Sequence, residues 1–119
     1  MRILIVGAGQ VGYFLCERFS NEGQDVVLID TDKKRLQRIE RDLNIMTVHG
    51  SGASARILAE AGISKTKLFI AVTDSDEVNL VSCIMSRNYE VETRVARVRN
   101  EDFLENGLLH QDESLGIDL

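Results

Sequence analysis

The stretch Ile3-Leu4-Ile5-Val6-Gly7-Ala8-Gly9-Gln10-Val11-Gly12 decides the reading, together with Val26-Val27-Leu28-Ile29-Asp30 some twenty residues later. A Gly-x-Gly-x-x-Gly loop alone is a weak signal. Set between an apolar strand and a helix, with an acid at the tip of the next strand, it describes a dinucleotide-binding crevice. Gly7 allows the tight turn, Gly9 lets backbone N–H groups approach a pyrophosphate, and Gly12 lets the helix pack against the strand. The anion sits at a helix N-terminus, where unpaired amides and the helix dipole favour it. Asp30 can then accept hydrogen bonds from a ribose diol. The bland alternative is a glycine-rich turn that holds no ligand.

Working outward, the 119 residues bound the chain to one domain, residues 1–119. Its 44% hydrophobic content is ordinary for a protein with a buried core. A net charge of −5 with interspersed signs excludes the basic footprint of a nucleic-acid binder. No apolar run reaches bilayer length, and no signal peptide precedes the first strand. The expectation is a soluble, cytoplasmic domain that meets a membrane only through a partner. Cys16 and Cys83 belong to no C-x-x-C pair and read as buried thiols. His49 and His110 lack ligand-like spacing, so no metal site is expected.

Apolar runs and helix-period stretches alternate along the chain. Strands are predicted at residues 1–6, 25–29, 46–48, 68–72 and 93–98. Helices are predicted at residues 10–22, 33–43, 51–61, from Thr73-Asp74-Ser75-Asp76-Glu77 to about 88, and at 102–109. In the first helix Val11, Phe14, Leu15, Arg18 and Phe19 define a mainly apolar stripe. Thr31 or Asp32 caps the second, basic helix. Asp74 and Glu77 have capping-box spacing for the fourth. This alternation predicts a Rossmann-like, doubly wound parallel sheet of five to six strands with helices on both faces. Leu115-Gly116-Ile117-Asp118-Leu119 resembles the start of a further strand, so the chain reads as a fragment of a longer protein.

Further blocks join the opening motif: Asp30-Thr31-Asp32, Gly50-Ser51-Gly52, Ala71-Val72-Thr73-Asp74-Ser75-Asp76-Glu77-Val78-Asn79 and Val95-Ala96-Arg97-Val98. Together they resemble the N-terminal lobe of the Trk-type potassium-uptake regulators, also called KTN or RCK domains. The middle block is the most specific part. The resemblance implies a cytoplasmic regulatory subunit that binds NAD(H), or an adenine nucleotide such as ATP or ADP, without turning it over. It implies dimers, assembled into rings beneath a membrane-embedded potassium channel or transporter subunit. It places Gly7, Ala8, Gly9, Gln10, Val11 and Gly12 in the phosphate loop, and Asp30 on the adenosine ribose with Thr31 and Asp32 beside it. Gly50 and Ser51 fall at the adenine edge. Thr73 and Asp74 face the second half of the ligand, with Arg97 near the same crevice. Two departures stand out. Ser51 occupies a position where many members carry an acid. Gln10 is neutral where members that use ATP carry a base, which favours a dinucleotide.

Each site residue also has a structural reading. Asp32, Thr73 and Asp74 could serve only as helix caps. Arg94, Arg97 and Arg99 could be surface charge, or Arg97 could pair with Asp74 or a phosphate. Lys33, Lys34, Arg35, Arg38 and Arg41 read as a solvated helix face, and Tyr13 and Phe14 as core or dimer contacts. The rival function is the cofactor domain of an NAD-dependent dehydrogenase, for which His49 is the only acid–base candidate in the core pattern.

Overall fold

Five apolar runs form a single parallel sheet in the structure, a computed structural model that describes residues 1–101. In chain order the elements are β1 (Arg2–Val6), α1 (Gln10–Asn21), β2 (Asp25–Asp30), α2 (Lys33–Asp42), β3 (Met46–His49), α3 (Ala55–Glu60), β4 (Leu68–Ala71), α4 (Asp76–Met85) and β5 (Thr93–Ala96). The sheet order is β3-β2-β1-β4-β5. The chain therefore reverses its winding between β1 and β4, which pair from Ile3↔Leu68 to Val6↔Ala71. This is the switch point at which such sheets open a crevice at their carboxyl edge. The expected doubly wound fold is present with five strands. The helix expected at 102–109 and the strand at 115–119 lie outside the described residues.

The strand residues Ile3, Leu4, Ile5, Val27, Leu28 and Ile29 are wholly buried. Their alternation divides the core between two faces. Ile3, Ile5, Val26 and Leu28 pack with Cys16 of α1 and with Leu36 and Ile39 of α2. Leu4, Val6, Val27 and Ile29 pack with Ile57 and Leu58 of α3 and Leu80 and Cys83 of α4. The two cysteines thus lie on opposite faces of the sheet, both buried as thiols. Burial pushes the Cys16 thiol up to about 12.

Three local expectations are corrected. The buried face of α1 is Gly12 and Cys16, with Val11 and Phe14 exposed instead of lying on the core stripe. The third helix begins only at Ala55, because residues 50–54 are held as a turn. Ser51 accepts the Ala53 N–H on its side chain at 3.1 Å, and Ser54 caps the helix through the Ile57 N–H. The fourth helix is capped by Ser75, whose Oγ accepts the Val78 N–H at 3.2 Å, and not by Asp74. The cap falls there because the Thr73 hydroxyl takes the Ser75 N–H at 3.1 Å and turns the chain one residue later. The basic helix is capped as expected by Asp32, which accepts from Lys34 N and Arg35 N.

Candidate functional site

The carboxyl ends of β1, β2 and β4 surround a crevice of about 380 Å³. Its floor is the glycine loop. Gly7 adopts φ +115°, and a Cβ there would lie 2.9 Å from the backbone of Val72 and Thr73. Gly12 lies beneath the loop, where a Cβ would stand 1.7 Å from the Gly7 carbonyl oxygen. These two glycines let the turn fit between α1 and the β4–α4 loop. Gly9 plays a different part. A Cβ on it meets nothing within 4 Å, so the space above the loop stays open. Gly9 is also the N-cap of α1 and supplies no side-chain cap, and no acid occupies the first turn. The amide end of this 12-residue helix therefore has no built-in anion, whereas α2, α3 and α4 are capped by side chains.

Asp30 closes the β2 side. Its Oδ1 accepts the Ala8 N–H at 2.9 Å and its Oδ2 accepts the Asp32 N–H at 2.9 Å. A carboxylate has about four acceptor positions, so two such bonds leave capacity for a ligand hydroxyl. The Asp30 backbone carbonyl also accepts from Gly50 N at 2.9 Å, which brings the β3 turn to the crevice. Gly50, Ser51 and Gly52 line that edge. The turn is tight, for a Cβ on Gly52 would meet Val6 Cγ1 at 2.4 Å.

Thr73 and Asp74 line the β4 side with Ser75 and Val78. Arg97 follows β5 and turns back on this loop. Its Nη2 donates to the carbonyls of Val72 at 2.8 Å and Thr73 at 2.7 Å, and lies 3.6 Å from the exposed Asp74 carboxylate. Its Nε is buried and has no partner among the described residues. Arg94 is bound instead to Ser86 and the Tyr89 carbonyl, away from the crevice.

The expected site residues therefore separate. Gly7, Ala8, Gly9, Asp30, Thr31, Asp32, Gly50, Ser51, Thr73 and Asp74 line the crevice. Gln10 faces a neighbouring groove between α1 and α2, beside Tyr13, Arg38 and Asp42. Desolvation, then the Glu17 and Asp42 carboxylates, hold the Tyr13 hydroxyl above its usual value. Val11 is exposed on α1, Gly12 is packed below the loop, and Arg97 supports the wall from behind. Several wall residues escaped the sequence reading, Arg35 and Gly52 among them. Arg35, taken for a solvated charge, lines both the crevice and the groove and lies 3.7 Å from Asp32. Its i,i+3 spacing from the helix cap was the available signal. Gly52 carried no signal beyond its neighbours. His49, the acid–base candidate, has its Nε2 3.0 Å from the Thr31 carbonyl oxygen. That nitrogen must carry the proton there, and the ring braces the β2–α2 turn. Among the described residues no group of His, Cys, Asp and Glu could hold a metal ion, and no helix is long and apolar enough to cross a membrane.

Comparisons with known proteins agree with this fold. Over 120 residues the chain is 39% identical to the Trk system potassium uptake protein TrkA of Haemophilus influenzae, covering 99% of this chain and 26% of that protein. It is 38% identical over 120 residues to the Trk system potassium uptake protein TrkA of Halomonas elongata, covering 100% and 26%. The chain thus spans about a quarter of the length of these curated relatives. Two solved structures share the fold. The TrkA-N domain of inner membrane protein ybaL from Escherichia coli superposes with a TM-score of 0.79 at 22% identity, over 87% of this chain and 77% of that one. The GsuK channel bound to NAD superposes with a TM-score of 0.79 at 20% identity, over 98% and 21%. Residues 3–118 match the TrkA-N domain, and the chain belongs to that family.

Proposed function

We propose that this chain is the NAD(H)-binding lobe of a regulatory subunit of a potassium-uptake system. Nucleotide held in the crevice changes the lobe's conformation and so gates a membrane-embedded channel or transporter subunit. The observation that carries this reading is the uncapped amide end of α1 at Gly9, facing the same crevice as the Asp30 carboxylate. An anion-binding end and a diol acceptor, side by side at a switch point, suit a nucleotide diphosphate. Support comes also from relatives named as Trk system potassium uptake proteins, and from the fold shared with a channel bound to NAD.

In this reading Gly7, Ala8 and Gly9 present the pyrophosphate loop, and Asp30 takes the adenosine ribose with Thr31 and Asp32 beside it. Gly50 and Ser51 border the adenine, and Thr73 and Asp74 face the far half. Gln10 is neutral and turned toward the neighbouring groove, which favours a dinucleotide over ATP or ADP. The lobe acts as a homo-oligomer, a dimer assembled into a ring, at the cytoplasmic face of the membrane. A switch of this kind needs a coupling of about 1–3 kcal/mol between nucleotide and conformation. In this reading the ligand is bound and released without being consumed.

Calorimetric titration with NADH tests the binding, and potassium uptake in cells carrying the full-length Gly9→Asp protein tests the coupling. Saturable one-site binding and loss of the nucleotide response are expected. Absence of binding, or steady NADH oxidation with a small substrate, would overturn the reading, the latter in favour of a dehydrogenase domain.

A further inference from the structure

Asn79 is wholly buried, and a buried amide is costly unless each polar atom is matched. Here the matching is complete and nearly all of it is spent on one residue. Asn79 Oδ1 accepts from the Thr73 N–H at 2.9 Å and from the Thr73 hydroxyl at 2.7 Å. Asn79 Nδ2 donates to the Thr73 carbonyl at 3.1 Å and to the Arg97 carbonyl at 2.9 Å. A flipped amide would set its NH₂ against the Thr73 N–H and its oxygen against the Thr73 and Arg97 carbonyls, so the network fixes its orientation. Thr73 is the crevice residue at the tip of the β4 side. Its loop also lies close to the floor, since a Cβ on Gly7 would stand 2.9 Å from Thr73 N. A Leu or Met would fill the same volume without choosing a loop position. A saturated amide specifies one.

From this network we infer that Asn79 is a positioning residue for the ligand half that reaches beyond the pyrophosphate toward β4. The role rests on the nucleotide reading above. A dinucleotide lies across the switch point, with its adenosine on the β2 side at Asp30 and its other half on the β4 side at Thr73. Loosening Asn79 should therefore weaken ligands that span the crevice and spare those confined to the β2 side. A purely structural role would affect both alike. Asn79 also ties Thr73 to the Arg97 carbonyl, where the chain leaves β5. Asp76 continues that link by accepting from Arg99 N at 3.0 Å and Asn100 N at 2.7 Å.

The test is calorimetric titration of wild type and Asn79→Asp with NADH and with AMP. The substitution keeps the shape and removes both donors. NADH affinity should fall about tenfold, equivalent to about 1.4 kcal/mol, while AMP affinity stays within about twofold. An equal fall for both ligands, or no fall for either, overturns the role. A wild type that binds neither ligand overturns the nucleotide reading and this role with it. Should Asn79→Asp not fold, amide hydrogen exchange on the ligand-free wild type decides. The Thr73 N–H should then exchange as slowly as the β4 amides, and rapid exchange at Thr73 overturns the clamp.

Discussion

The Asp30 carboxylate and the Ala8 N–H are joined by a 2.9 Å hydrogen bond, so the residue proposed to hold a ribose also holds the glycine loop. The second oxygen is engaged by Asp32 N at 2.9 Å, which orients the carboxylate along the crevice edge. A 2′-phosphate would meet that charge at close range, and like charges in a partly dry site cost a few kcal/mol. NADH should therefore bind at least about tenfold more tightly than NADPH, a gap of about 1.4 kcal/mol. Arg35 on the same wall offsets part of the repulsion. Asn at position 30 keeps an acceptor for Ala8 N and loses the charge, so Asp30→Asn should narrow the ratio. Equal affinities of the wild-type protein for the two cofactors, measured by calorimetry, would remove Asp30 from the ribose.

The glycines of the loop should respond differently to substitution. Gly12→Ala drives a methyl group into the Gly7 carbonyl, with a separation of 1.7 Å before relaxation. Overpacking against backbone should cost about 3 kcal/mol or more, read as a lowered Tm. Gly9 has φ −77° and open space around it, so Gly9→Asp should change stability by only about 0.5 kcal/mol. It should nevertheless abolish NADH binding, by placing bulk and negative charge at the position proposed for the pyrophosphate. Normal binding by a folded Gly9→Asp protein would show that the site lies elsewhere.

Cys16 should resist alkylation in the native protein. Its thiol is pushed from 9.0 up to about 12 by burial alone. Between those values the folded state holds a proton that the unfolded state releases. Stability present below about pH 9 is therefore lost as pH rises toward 12. Iodoacetamide at pH 8 should modify Cys16 only after denaturant is added, as followed by mass spectrometry. Rapid native labelling would mean that α1 opens from the sheet.

Phe14 and Val11, 56% and 43% exposed on one helix, form an apolar surface that the lobe does not cover from within its described residues. The homodimer proposed for this chain should bury such a surface. Light scattering at micromolar concentration should give a dimer mass, and Phe14→Glu should lower it toward the monomer with little change in Tm. A monomer at every concentration would count against the assembly. The helix expected at 102–109, which carries the apolar Phe103, Leu104, Leu108 and Leu109, lies outside the described residues.

Much of the fold and site was legible because its signals are local. The strands announce themselves as apolar runs, the glycine loop by its spacing, Asp30 by its place at a strand tip, and the α2 cap by Asp32 before a helical period. Each depends on a few neighbouring residues, and single-chain patterns report such dependencies directly. What escaped is set by contacts between distant segments. α3 starts late because Gly52 must lie against Val6 of β1. Ser75 displaces Asp74 as a cap because Thr73 is already held by Asn79.

Arg97 shows the division most clearly. Its charge and its place after β5 suggested a phosphate or an acid as its partner. The acid is there, with the Asp74 carboxylate 3.6 Å away, but the parallel pairing of Ala71 with Ala96 also carries the guanidinium alongside the Val72 and Thr73 carbonyls, which no local pattern announced. By itself the sequence determined which segments become strands and helices and where the glycine loop falls between them, since periodicity and capping are short-range. Only the tertiary structure decided which polar groups hold the crevice wall. Donors and acceptors 18 to 25 residues apart meet only once strand register has brought them together.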